Sequence, residues 1–253
     1  MVLDASVLLF VSILVRLAAS GIALLAWYIH RHVVCLLGWS VAMFLSALAM
    51  TVSSYRGEGN DLPVTLLANL LFLAGYTLMW ASLRRFNDDS LSLRRQVLSV
   101  LAVGAAFALL FLLANYLGWP QRAQSALFAL FIAGLTLAAA WETWRGFRHD
   151  GLRSRHIAAG ALACIAATRL IRIGLIVVQS LGVVPPATAA QVQSYTLYAN
   201  VLFLLVATAG LVLMAQERVD RSAAAPPIPE PPKEKPAPAK AGAGLENSGA
   251  GSA

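Results

Sequence analysis

Apolar residues run through this chain in seven long blocks separated by short polar connections, and no block shows the ten-residue alternation of a membrane β-barrel strand. The blocks cover residues 5–29, 33–53, 63–83, 96–118, 122–144, 156–181 and 194–216. Crossing the hydrocarbon of a bilayer takes about 20 apolar residues in a helix. Each block therefore predicts one transmembrane helix. Hydrocarbon offers no partner to a free backbone N–H or C=O, so the chain must close its own hydrogen bonds as it crosses. The predicted fold class is all-α, a polytopic membrane protein of seven transmembrane helices.

Composition agrees: 59% of residues are hydrophobic and only 12% charged, far from the soluble range. The net charge of +7 is unevenly spread. Arg31 lies in the first connection, Arg84, Arg85, Arg94 and Arg95 around the third, and Arg145, Arg148, Arg153 and Arg155 around the fifth. Arg218, Arg221, Lys233, Lys235 and Lys240 follow the last block, whereas the even-numbered connections hold only Arg56 and Arg122. The positive-inside rule then predicts an N-terminus outside and a C-terminus in the cytoplasm. Trp27, Tyr28, Trp80, Trp141 and Trp144 fall at inner ends of blocks, and Tyr55, Tyr116, Trp119, Tyr195 and Tyr198 at outer ends, as interfacial aromatics do. The basic charge is thus a topology signal. No nucleic acid is expected as a partner, because the basic loops are short and lack interleaved stacking aromatics. The first block carries Arg16 and no basic leader, so it reads as an uncleaved helix rather than a signal peptide. Cys35 and Cys164 read as small packing residues, not a disulfide.

Candidate chemistry comes from polar groups inside the blocks, where ionisable side chains are expensive. Arg16 lies near the middle of the first block, and Arg169 and Arg172 near the middle of the sixth. The latter two are three residues apart and share a helical face, which Gln179 continues outward. Asn69, Asn115 and Asn200 add polar groups on three further helices. Carboxylate partners are the missing half of the pattern: Asp4 is about 18 Å of helix rise from Arg16, and Glu142 lies near the inner end of the fifth block. Arginines without acids point to a pocket for an anionic ligand, lined by Arg169, Arg172 and Arg16, with Asn69, Asn200 and Gln179 as weaker contacts. The competing reading has the arginines paired with carbonyls, asparagines or lipid phosphates. His30, His32, His149 and His156 form no i, i+4 metal pair, and no catalytic constellation is present, so neither metal, cofactor nor enzymatic activity is expected.

The organisation is one membrane domain, residues 1–221, and a Pro/Ala/Gly-rich cytoplasmic tail, 222–253, that reads as disordered. Alanine-rich stretches at 133–140 and 158–167 predict close packing that puts the fifth and sixth helices near the bundle centre. No interior proline breaks a helix and neither half repeats the other, which argues against a secondary transporter.

Several local patterns resemble the seven-helix membrane region at the N-terminus of bacterial GGDEF-type diguanylate cyclases. They are Leu37 to Trp39, Ala68 to Gly75, Leu83 to Phe86, Arg122, Arg169 and Leu213 to Arg218, in an order that covers residues 1–221. The resemblance implies a sensory membrane module of the bacterial inner membrane, whose seventh helix carries a signal to the cytoplasmic side. The Gly-Gly-Asp/Glu-Glu-Phe sequence of the cyclase domain does not occur here. The leading expectation is therefore a sensor-like module without its own output domain. Its partners would be the lipid bilayer, an anionic small molecule, a cytoplasmic signalling protein and, in a homodimer, a second copy. The alternatives are the membrane half of a truncated or rearranged cyclase, a small-solute transporter, and a scaffold recruiting a partner through its Pro-rich tail.

Overall fold

The computed structural model describes residues 5–55, 61–88 and 92–224. It contains α1 (Ala5–Ile29), α2 (Val34–Ser54), α3 (Leu62–Asn87), α4 (Leu93–Tyr116), α5 (Gln121–Asp150), α6 (Ser154–Ser180) and α7 (Pro186–Ala224), with no strand among the described residues. All seven are long and apolar enough to cross a bilayer. The architecture is that of a multi-pass membrane protein. Its two ends differ in charge, and they are called here the Arg-rich end, where α1, α3, α5 and α7 finish, and the Arg-poor end.

Helices α3, α5 and α7 run well beyond the spans that hydropathy marks out. Hydropathy falls at the first arginines, but the backbone keeps coiling because cations favour a helix C-terminus. Helix α5 stops only at Gly151, whose φ of 62° is left-handed and suits glycine. Helix α7 starts at Pro186, a favoured first-turn residue. It continues through Ala224, the last of its described residues. The Pro-rich remainder of the tail, 225–253, lies outside the described residues.

Six helices close a ring: α1 packs on α2, α2 on α3, α3 on α5, α5 on α6, α6 on α7, and α7 returns to α1. Helix α4 stands outside it against α3 and α5. Helices α5 and α6 are ring members and not a central pair, which corrects the expectation from their alanines. Small residues mark where two helices approach closely, not where the axis lies. The tightest crossing is α2–α3, where Gly38 faces Ser82 and a Cβ added at Gly75 would stand 2.8 Å from the Ala42 carbonyl oxygen. Trp39 is fully buried, and its Nε1–H donates to Thr208 Oγ1 at 3.2 Å, linking α2 to α7. Conversely Leu101, Leu109 and Leu130 are exposed, as lipid-facing positions should be.

The Arg-rich end is tied by arginines. The Arg155 side chain, only 3% exposed, pairs with Asp150, donates to Asn87 Oδ1 at 2.7 Å and lies over the Phe86 ring. Gly146 leaves room for that guanidinium, because a Cβ there would collide with it. From α7, Arg218 donates to the Phe86 carbonyl at 2.9 Å and Arg221 to the carbonyls of Asp150 and Gly151. Glu217 accepts from Ser154 Oγ at 2.8 Å. The ends of α3, α5 and α7 and the α5–α6 turn thereby form one network.

Candidate functional site

A cavity of about 210 Å³ lies inside the bundle, and every helix contributes to its wall. Helix α3 presents Thr65, Asn69, Phe72 and Tyr76 to it. Their spacings of four, three and four residues are those of one helical face. Helix α5 presents Gln121, Gln124, Ser125, Phe128 and Ile132 by the same periodicity. Helix α1 supplies Arg16, and α6 supplies Arg169 and Arg172.

The three arginines thus meet, although they come from helices far apart in sequence. Arg16 is 4% exposed, and its guanidinium stands 5.7 Å from the Phe72 ring centroid. Arg169 Nη2 donates to the Tyr76 hydroxyl at 3.4 Å, and Arg16 also lies close to that buried hydroxyl. Tyr76 therefore sits between two cations at the deep end of the cavity. Arg16 and Arg169 are about 16 Å of helix rise from the Arg-poor ends of α1 and α6, near the middle of the membrane. Arg172 is about 4.5 Å nearer that end than Arg169, close enough to repel it.

No Asp or Glu among the described residues lines this cavity. Among the described residues, Arg16 Nη1 and Arg169 Nε are buried with no hydrogen-bond partner. Guanidinium cannot shed its proton at any ordinary pH. Positive charge is therefore gathered at the cavity without a counter-charge among the described residues that line it, an arrangement that favours an anion.

A second cavity, of about 220 Å³, shares Gln121, Ser125 and Arg172 with the first and adds Arg122, Gln179 and Gln193. Those residues lie at the Arg-poor helix ends, so it forms a vestibule to the deeper space. Gln179 is thus brought to Arg172 but not to Arg16 or Arg169. Asn69 lies on the cavity wall. Asn200 does not: it is buried between α6 and α7, its Nδ2–H donating to Thr168 Oγ1 at 3.4 Å. Its amide bridges two helices beside the pocket.

Sequence reading passed over Tyr76, Phe72, Thr65, Gln124 and Ser125. The repeat Thr65–Asn69–Phe72–Tyr76 along one face of α3 was the available signal. Comparison with protein-family models, with curated proteins and with solved structures finds no match.

Proposed function

We propose that this protein is a membrane-embedded receptor module that binds a small anion inside the helix bundle and reports its presence through α7. The convergence of Arg16, Arg169 and Arg172 on a cavity lined by no carboxylate among the described residues carries this reading. Two unpartnered guanidinium N–H groups support it further, since each is a donor already desolvated for an incoming oxygen. The arginine asymmetry of the connections supports an extracytoplasmic vestibule and a cytoplasmic Arg-rich end.

The coupling is a difference in affinity between two packings of the ring. Without an anion, mutual repulsion among the arginines favours a looser arrangement of α1 and α6. A bound anion draws them together. Helix α7 packs against both α1 and α6, and its Arg218 and Arg221 grip the opposite end. A shift at the cavity therefore reaches the Arg-rich end through one continuous helix. The reading is a sensor-like module of the bacterial inner membrane that binds rather than transforms its ligand.

Thermal unfolding of the detergent-purified chain, scanned across small carboxylates, phosphate and sulfate, tests it. At least one class should raise the melting temperature with concentration, as mass action requires of a native-state ligand. The Arg169→Gln/Arg172→Gln variant should lose that response. Its ligand-free stability should be unchanged or higher, because two mutually repelling charges have been removed. Collapse of that variant and of Arg16→Met, with no anion response in the parent, would overturn the receptor reading in favour of arginines that only hold the bundle together.

A further inference from the structure

The cavity carries its arginines at two levels and two phenyl rings in its wall, and this organisation specifies more than negative charge. At the deep pole, Arg16 and Arg169 converge on the Tyr76 hydroxyl. At the outer pole, Arg172 faces the vestibule with Gln121 and Ser125. Two aromatic residues line the same space. On α3, Phe72 is one turn outward of Tyr76; on α5, Phe128 is one turn inward of Ser125. The Phe72 and Phe128 rings meet edge to face, with centroids 5.9 Å apart.

Resting on the anion-receptor reading, we infer that the ligand is a short α,ω-dicarboxylate, with one carboxylate at each pole and its methylene spacer against Phe72 and Phe128. Three observations select this class. A dianion balances three guanidiniums better than a monoanion, and the described residues of the wall add no negative charge. Phosphate or sulfate wants donors on every side, whereas here Phe72 and Phe128 form part of the wall. The volume of about 210 Å³ lies below that of pockets for drug-sized molecules, which fits a chain of four to six carbons. Each carboxylate accepts hydrogen bonds from guanidinium, and the Tyr76 O–H donates to the deeper one.

Isothermal titration of the purified full chain with succinate, glutarate, butyrate and inorganic phosphate reads this out. Succinate or glutarate should bind at least tenfold more tightly than butyrate or phosphate. Arg172→Gln should abolish the advantage by weakening the dicarboxylate to the level of butyrate, while butyrate, held at the deep pole, is unaffected. Arg172→Lys should retain part of the preference, which separates lost charge from a disturbed fold. Equal affinity for succinate and butyrate in the parent, or tighter binding of phosphate, would overturn the dicarboxylate assignment and leave the anion receptor standing. Absence of binding by all four would remove both.

Discussion

Asp150→Ala should destabilise the folded protein by about 3–5 kcal/mol, the cost of leaving a buried charge without its partner. Arg155 cannot retreat to solvent, since its side chain is 3% exposed, against 34% for that of Asp150. The remaining acceptors, Asn87 Oδ1 and the Thr143 carbonyl, are neutral. Removing both charges should be much milder: Asp150→Ala/Arg155→Met should recover most of the loss, because a flexible apolar side chain can fill the space beside Phe86 and Gly146. Unfolding titrations in mixed micelles would measure both. A double variant no more stable than Asp150→Ala would show that the guanidinium's bonds to α3 and α5, and not its charge, hold this end.

Gly75→Ala should be the second severe change, costing about 1–3 kcal/mol as overpacking. An alanine Cβ at this position would press on the Ala42 carbonyl oxygen, which is backbone and cannot rotate away, and on Ser46 Oγ at 2.9 Å. Helices α2 and α3 would have to separate, and α3 carries Asn69, Phe72 and Tyr76 into the cavity. Gly160→Ala supplies the control of opposite sign. Nothing lies within 4 Å of a Cβ there, so the gain in helix propensity should stabilise by up to about 1 kcal/mol. Equal effects of the two substitutions on melting temperature would refute the close-approach argument.

Much of the architecture was legible in the sequence because the bilayer imposes a strong rule: a span must be helical, apolar and about 20 residues long. The facing of Arg169 with Arg172 followed from their spacing. Their meeting with Arg16 did not, since nothing in an apolar block announces which helix it will adjoin. In lipid, the core-facing and lipid-facing sides of a helix are equally apolar, so pattern does not fix rotation about the axis. That is why Asn69 and Asn200 could not be told apart in the sequence, although of the two Asn69 lines the cavity, and why α4 was not recognised as the outlying helix. Tyr76 was missed for a related reason. A tyrosine in an apolar run reads as a core or interface residue until a guanidinium is seen beside its hydroxyl.

The ring is closed by its first and last helices, α1 against α7, and this has a consequence for biosynthesis. Helix α1 enters the membrane with Arg16 at its middle, a residue that costs about 2.5–3.5 kcal/mol at that depth. The span keeps a mean hydropathy of 2.3, but the groups that surround Arg16 arrive later. Phe72 and Tyr76 come with the third helix and the remaining cationic groups with the sixth. Until then α1 must wait in lipid or beside the insertion machinery, its guanidinium drawn toward an interface. The electropositive cavity is therefore among the last features of the protein to be made, and a nascent chain arrested before α6 contains the arginine without the pocket.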